Sequence, residues 1–255
     1  TAWDLSAAAT GMLLAFNMPV TTPFWVLFAA DLFAIVVVKQ MFGGIGNNFV
    51  NPALMGRLFV MTVWSGEIMQ YVIPKSDGVS SATVLSAAKQ QTQSSYTYLQ
   101  MFLGDIPGAI GETSKLLILI GFLYLCWKGI VNAKAALVYI ASVSVLTFVF
   151  GREGLFTGDF LGNLLGGGLI LGGCYMITDY AFVSQKGKLL FALAAGVITA
   201  WIRIFSVYPE GICFGILTAN CLAGILSMTE NDRVYGTAEK HRIIKMKDGG
   251  QRSEQ

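Results

Sequence analysis

The chain has 255 residues, of which 55% are hydrophobic and 13% charged, and its formal net charge is +2. Soluble domains carry about 25% charged residues, so this composition excludes an ordinary soluble protein. Several apolar runs of about 15–20 residues are long enough to cross a bilayer. We therefore expect a polytopic membrane protein in the lipid bilayer, with no nucleic-acid partner.

Metal-ligating residue types are sparse and scattered. The single histidine, His241, lies in a polar tail, and the four cysteines lie in apolar runs without a C-x-x-C pair. A zinc, haem or iron–sulfur site needs clustered ligands, whereas isolated thiols in apolar runs are typical of small buried side chains. We therefore expect no metal site.

Eight apolar segments predict membrane-spanning helices. Two of them are unusual, because 4–17 is short and 159–177 contains two groups of consecutive glycines. Short or glycine-interrupted segments are typical of broken helices that line a site within the membrane. The eight segments run near 4–17, 22–41, 51–72, 114–128, 133–150, 159–177, 187–205 and 209–228.

The same order of segments occurs twice, at an offset of about 160 residues. In each copy, an unusual segment precedes a full span that ends in a basic residue, Lys39 or Arg203. An odd number of spans separates corresponding elements, so the two copies point in opposite directions. The second copy has five spans and the first has three. We therefore expect an all-α polytopic membrane protein, an inverted repeat of five-helix halves with broken helices, whose first two spans precede Thr1.

Basic residues predict the orientation. Six lysines and arginines follow Met228, and the positive-inside rule places such a tail in the cytoplasm. Counting spans back from the tail places the long connection 73–113 outside the cell. The predicted division is therefore 1–72 (last three spans of the first repeat), 73–113 (extracytoplasmic loop), 114–228 (second five-span repeat) and 229–255 (basic cytoplasmic tail).

A glycine-rich turn at 43–52 (GGIGNNFVNP) joins two predicted spans. It does not lie between a strand and a helix, so it lacks the context of a dinucleotide-binding or P-loop motif. Asn51 and Pro52 predict a helix start, with a capping side chain and a proline at the first position. A tight interhelical turn and a ligand-facing turn both remain open.

Acidic and basic side chains also occur within the predicted spans, where charges are costly and usually have a partner or a water path. Asp31 and Glu67 are candidates for a cation or proton route; the alternative is an internal ion pair with Arg57 or Arg203. Asp179 follows the glycine-broken segment. Because a helix end offers free carbonyls beside this carboxylate, it is a further candidate for a cation path.

Residues 77–83 (DGVSSAT) lie in the long polar connection. Asp77 and Gly78 predict a turn, and a serine or threonine before 84–89 predicts the cap of a short helix. On these residues alone, a turn followed by a helix cap is the simplest interpretation.

The chain resembles the family that contains the D subunit of the Rnf complex and the B subunit of the sodium-pumping NADH:quinone reductase. Each matching motif is weak alone, but their shared order from Thr1 to about Met228 is specific. The matches are DLS (4–6), TPFW (22–25), KQ (39–40), GGIGNN (43–48), NPA (51–53), DGVSSAT (77–83), Gly104 with GAIGETS (108–114), MITD (176–179) and YPEG (208–211).

This resemblance implies a covalent flavin. In the family, the last threonine of the D-G-x-S-x-A-T motif carries FMN through a phosphoester bond that a separate flavin transferase makes, and that residue is Thr83 here. Asp77, Ser80 and Ser81 belong to the same motif and are expected to shape the attachment site. The resemblance also allows riboflavin as a second cofactor.

The resemblance further implies an electron-carrying, non-NAD-binding subunit of a ferredoxin:NAD⁺ oxidoreductase that moves Na⁺ or H⁺ across the inner (plasma) membrane of a prokaryote. The flavin acts as a one-electron relay for which the protein supplies position and electrostatics. The expected partners are A- and E-type membrane subunits, a flavin-bearing G-type subunit and soluble B- and C-type subunits. The flavin loop would be extracytoplasmic and the C-terminus cytoplasmic.

Two departures from the family pattern bear on this interpretation. Ser81 replaces the glycine that is common in the quinone-reductase branch, which favours the Rnf branch. Tyr180 replaces the proline that usually follows Thr178-Asp179, so the geometry after Asp179 can differ. Two alternatives remain open: a B-type subunit of the quinone reductase, and a flavin-free solute transporter built on inverted repeats, which the broken helices also fit.

Overall fold

A computed structural model describes residues 5–42, 44, 49–73, 82–89, 96–131, 133–151, 154–178, 185–206, 208 and 210–231. The first half contains α1 (Ser6–Phe16), α2 (Phe24–Leu32) continuing into a π-helix (Phe33–Gln40), α3 (Pro52–Val63) and α4 (Ser65–Ile68). The connection contains α5 (Val84–Lys89) and α6 (Tyr98–Leu103). The second half contains α7 (Lys115–Trp127), α8 (Ala133–Val149), β1 (Phe150–Gly151), β2 (Gly154–Leu155), α9 (Phe160–Leu165), α10 (Leu169–Leu171), a second π-helix (Gly172–Met176), α11 (Gln185–Phe205) and α12 (Ile212–Asn231).

The described part of the chain is mostly helical, which confirms the predicted all-α class. A small antiparallel hairpin was not predicted; it pairs Phe150 with Leu155 at the end of α8. Among the described residues, the helix Gly187–Phe205 alone has the length and hydropathy of a complete membrane span. Five shorter apolar helices accompany it: Ser6–Phe16, Pro52–Val63, Lys115–Trp127, Ala133–Val149 and Ile212–Ala223.

Large apolar side chains cover much of the outer surface. On α7, Leu117, Leu123 and Trp127 are 68%, 64% and 78% exposed, and Phe24 at the start of α2 is 89% exposed. Soluble monomers rarely expose contiguous apolar surface on this scale, whereas lipid-facing helices present it routinely because the bilayer core has no water. The surface therefore agrees with a location in a membrane.

The two segments that were expected to be interrupted are short or broken. Helix α1 ends at Phe16, and the 159–177 segment divides into α9, α10 and a π-helix. The break lies at Gly166–Gly168, where Gly167 has a left-handed φ of +61°. A Cβ at Gly167 would lie 2.8 Å from Leu85, so the glycine also lets the loop helix α5 approach the break.

Local sequence explains where α3 begins and ends. The Asn51 side chain accepts a hydrogen bond from Leu54 N at 3.2 Å, and Pro52 is the first helical residue, which confirms the predicted cap. Helix α3 ends at Val63, however, and the chain turns at Trp64 into the short α4. Glu67 is therefore exposed on α4 instead of lying inside a continuous span.

One basic residue in each half bonds to the backbone of the preceding interrupted helix. Lys39 Nζ donates to Ser6 O at 2.7 Å, and Arg203 Nη1 donates to Asn163 O at 2.7 Å. Both basic side chains are buried, and each occupies the same place in its half. This correspondence supports the internal repeat; the inversion of the two halves and the upstream spans remain predictions.

The core of the second half depends on close approach of α8, α11 and α12. Tyr139, Phe191 and Ile216 are at most 1% exposed there. Gly196 of α11 lies against Ser142, and Gly215 of α12 lies against Thr199, so that a Cβ at either glycine would collide with the facing hydroxyl. Small residues at helix contacts are the usual means of close packing in membranes.

We expect Gly215→Ala to lower the apparent melting temperature of the detergent-solubilised protein. The added Cβ would lie 3.0 Å from Thr199 Cα, and such overpacking lowers melting by about 2–10 °C. Gly66→Ala is the matched control, because its Cβ meets nothing within 4 Å; we expect a shift within about 2 °C. Equal shifts for the two variants would contradict the assigned packing.

Candidate functional site

Thr83 lies directly before α5, where the sequence predicted a helix cap. Its Oγ1 accepts a hydrogen bond from Ser86 N at 3.3 Å and lies 2.7 Å from Ser86 Oγ. The predicted cap is thus confirmed. Asp77, Ser80 and Ser81 fall outside the described residues.

A cavity of about 220 Å³ lies beside Thr83. Its wall combines the end of α1, the α3 residue Arg57, the loop residues Thr83 and Ser86, and the segment before α12 that contains Glu210. The cavity therefore lies where the two halves and their connection meet. Most of the remaining wall is apolar, including Met18, Met61, Ile68, Met69 and Phe214.

Arg57 joins the two halves of the chain through two carboxylates. Its Nη2 lies 3.1 Å from Glu210 Oε2, and its Nη1 lies 3.5 Å from Glu112 Oε1. Nη1 also donates to Asn17 Oδ1 at 3.3 Å. Arg57 is 7% exposed, so the ion pairs compensate a charge that would otherwise be costly to bury.

Two further cations complete this group, which we call the charge cluster: Arg57, Glu112, Lys115, Arg203 and Glu210. Lys115 Nζ donates to the carbonyl of Glu112. Arg203 Nε donates to the carbonyl of Glu210 at 2.9 Å. With every member ionised, three cations face two carboxylates, so the cluster carries one excess positive charge.

Glycines and main-chain bonds place Glu112 in the cluster. Gly111 N donates to Phe16 O at 2.7 Å, which ties the loop to the end of α1. A Cβ at Gly168 would lie 2.8 Å from Glu112 Oε1, so the break in the 159–177 segment makes room for this carboxylate. The same glycines that interrupt the helix therefore build the site.

Glu112 is the member of the cluster that lies in the connecting loop, outside the predicted spans. Burial raises the pKa of its carboxyl to about 7, and the neighbouring Glu210 carboxylate adds to the rise, whereas Arg57 and Lys115 oppose it. Glu112 and Glu210 lie close enough to share a proton. The site can therefore gain or lose a proton near neutral pH.

The predicted ion-path residues do not join this cluster. Arg57 is in an internal ion pair, but its partners are Glu112 and Glu210 instead of Asp31 or Glu67. Asp31 lies in α2 against Gly11 of α1, and its buried Oδ1 has no hydrogen-bond partner among the described residues. Asp179 falls outside the described residues.

Sequence reasoning did not single out Glu112 and Glu210 as functional residues. Both stand inside motifs that carried the family resemblance, GAIGETS and YPEG. A charged residue inside a family-specific motif was the available signal. Within the described part of the chain, no group of three His, Cys, Asp or Glu side chains could hold a metal ion.

Comparison with known proteins shows the family. A sequence profile of the NQR2, RnfD, RnfE family matches residues 1–236. The chain belongs to this family. The resemblance inferred from the motifs is thereby confirmed, and membership of the NQR2, RnfD, RnfE family agrees with the apolar outer surface of a membrane protein.

Three relatives within the family define its range. The chain is 38% identical to the D subunit of the Na⁺-translocating ferredoxin:NAD⁺ oxidoreductase complex of Acetobacterium woodii, over 92% of this chain and 74% of that protein. It is 35% identical to the D subunit of the proton-translocating ferredoxin:NAD⁺ oxidoreductase complex of Clostridium ljungdahlii, over 93% and 76%. It is 36% identical to the B subunit of the Na⁺-translocating NADH-quinone reductase of Chromohalobacter salexigens, over 85% and 56%.

The raised pKa of Glu112 predicts how stability depends on pH. A carboxyl whose pKa rises from 4.5 to about 7 on folding binds its proton more tightly in the folded state. Its contribution is therefore complete below pH 4.5 and is lost as the pH rises through 7. We expect the apparent melting temperature of the wild type to fall by a few degrees between pH 5 and pH 8.

The variant Glu112→Gln cannot titrate, so its melting temperature should change less over this window. Glu67→Gln is the control, because Glu67 is exposed on α4, and it should follow the wild type. Melting curves in detergent at several pH values test both expectations. A Glu112→Gln profile as steep as that of the wild type would show that another group is responsible.

Proposed function

We propose that the chain is the D-type membrane subunit of an ion-translocating ferredoxin:NAD⁺ oxidoreductase complex, and that it relays electrons through FMN attached to Thr83. The observation that carries the flavin assignment is the position of Thr83. The last threonine of the DGVSSAT motif contributes to the wall of a cavity between the two halves, beside the charge cluster. A hydroxyl in this position can be esterified by a group that the cavity accommodates.

The relatives support the ferredoxin-linked complex over the quinone reductase. The chain spans about three quarters of both D-type relatives but 56% of the quinone-reductase relative, and Ser81 is the residue expected in the Rnf branch. One D-type relative belongs to a Na⁺-translocating complex and the other to a proton-translocating one. We therefore assign ion translocation coupled to electron transfer, with Na⁺ or H⁺ as the ion.

Attachment of the flavin is a group transfer. The Thr83 hydroxyl attacks the flavin-side phosphorus of a flavin adenine dinucleotide; the new O–P bond forms as the adenosine monophosphate leaves, and the hydroxyl proton passes to solvent. No electrons are exchanged in this step. A separate transferase provides the catalysis, and Ser86 N can still donate to the esterified oxygen. Once bound, FMN supplies the one-electron chemistry.

The wider arrangement follows from the charge pattern. The flavin loop faces the extracytoplasmic side of the inner membrane, the basic tail faces the cytoplasm, and NAD binds to a soluble partner subunit. A-, E- and G-type subunits adjoin this chain. Asp31 and Asp179 are proposed for the ion path; the unpartnered Oδ1 of Asp31 supports the first, while the exposed Glu67 is less suited to it. Riboflavin is compatible with the family, and we assign no residue to it.

We expect Thr83→Ala to abolish covalent flavin on this chain. The protein is co-expressed with a flavin transferase and separated on a denaturing gel, and flavin fluorescence is recorded together with the mass of the intact chain. Thr83→Ser, which keeps a hydroxyl, should retain a reduced signal.

Thr97→Ala is the matched control for the helix cap. Thr97 caps α6 in the same connection, through a capping box with Gln100, so this variant loses a threonine cap without losing the attachment residue. It should fluoresce like the wild type. Fluorescence that persists on the Thr83→Ala chain would refute the attachment site.

A further inference from the structure

We propose that Arg57 binds the phosphate of the flavin phosphoester on Thr83, and that the charge cluster is built with one excess positive charge to accept this anion. This inference rests on the proposed function. It adds a cofactor-binding residue in α3, far from the attachment motif in the sequence, and it assigns a purpose to a cluster that no motif explains.

Position supports Arg57 over the other buried cations. Arg57 is the only basic residue among the described residues that line the cavity with Thr83. Lys115 and Arg203 bond to the carbonyls of Glu112 and Glu210 behind it. Lys89, on α5, bonds to the carbonyls of Ser206 and Tyr208.

The chemistry of the guanidinium suits the ligand. Arginine offers a planar fork of five N–H donors that matches the spacing of phosphate oxygens, and it keeps its charge when buried. Asn17 and Glu210 hold Nη1 and Nη2 of Arg57 at 3.3 and 3.1 Å. The guanidinium is therefore oriented before any anion arrives, which reduces the cost of ordering it on binding.

Charge balance is the second argument. A phosphate esterified at two oxygens, to Thr83 on one side and to the flavin on the other, carries a single negative charge at neutral pH. The cluster contains Arg57, Lys115 and Arg203 against Glu112 and Glu210, which leaves one positive charge. An uncompensated buried charge is costly, and this phosphodiester would neutralise it.

The size of the cavity is the third argument. Its volume of about 220 Å³ is below the range of roughly 300–1,000 Å³ that encloses a drug-sized ligand. The cavity therefore suits the phosphate and the adjoining part of the ribityl chain. The isoalloxazine ring would extend beyond it, where a neighbouring electron carrier can approach.

The experiment compares the full chain produced with and without the flavin transferase. We expect flavinylation to raise the apparent melting temperature of the wild type by roughly 5 °C, because the phosphate gains a charge-assisted pair and the cluster loses its excess charge. Arg57→Gln should lose at least half of this rise while gel fluorescence shows flavin still on Thr83. Arg57→Lys keeps the charge but not the fork, so its rise should be intermediate.

Lys39→Gln is the matched control. Lys39 is also a buried cation, but it bonds to Ser6 and Thr10 of α1 and does not line the cavity. This variant melts at a lower temperature, yet flavinylation should raise that temperature as much as in the wild type. The comparison therefore separates phosphate binding from general loss of stability.

The outcomes distinguish the two proposals. A flavinylated wild type with no rise, or a rise that is unchanged in Arg57→Gln and Arg57→Lys, overturns the role of Arg57 and leaves the attachment to Thr83 intact. A wild type without flavin on Thr83 overturns the proposed function and the inference together. If Arg57→Gln fails to fold, Arg57→Lys decides, because it preserves the buried charge; an unchanged rise in that variant overturns the inference.

Discussion

The ion pairs of Arg57 with Glu112 and Glu210 are the interaction on which the rest of the arrangement depends. They connect a helix of the first half, the long connection and the segment before α12, which are otherwise joined mainly by apolar contacts. Apolar contacts alone specify relative position weakly inside a bilayer, because lipid is as apolar as the side chains. A buried ion pair has few alternative partners, so it defines how the halves meet.

The interruption of the second half and the charge cluster are two aspects of the same structure. Gly166–Gly168 end α9 and leave carbonyls that Arg203 satisfies, while the missing side chain at Gly168 admits Glu112. A continuous helix would have used those carbonyls internally and excluded the carboxylate. The cost of breaking the helix is thereby offset by polar contacts that the break makes possible.

Features that depend on neighbouring residues in the sequence were predictable. The caps at Asn51 and Thr83 and the break at 166–168 follow from short-range preferences. The pairing of Arg57 with Glu210 was not predictable, because the two residues are 153 positions apart and hydropathy gives no information on which charges meet. The end of α3 at Val63 was missed for a related reason: 51–72 is apolar enough for one helix, and tertiary packing decides that the chain turns at Trp64.

The burial of Thr83 has a consequence for the order of events during biogenesis. Only 6% of this residue is exposed, and its hydroxyl is occupied by Ser86. An enzyme that modifies the hydroxyl must reach it before α5 packs against the break at Gly166–Gly168, or after that packing has opened. Cofactor loading therefore competes with final folding, and a chain that matures before it meets its transferase would be locked without a flavin. Timing of synthesis becomes part of how an active complex is made.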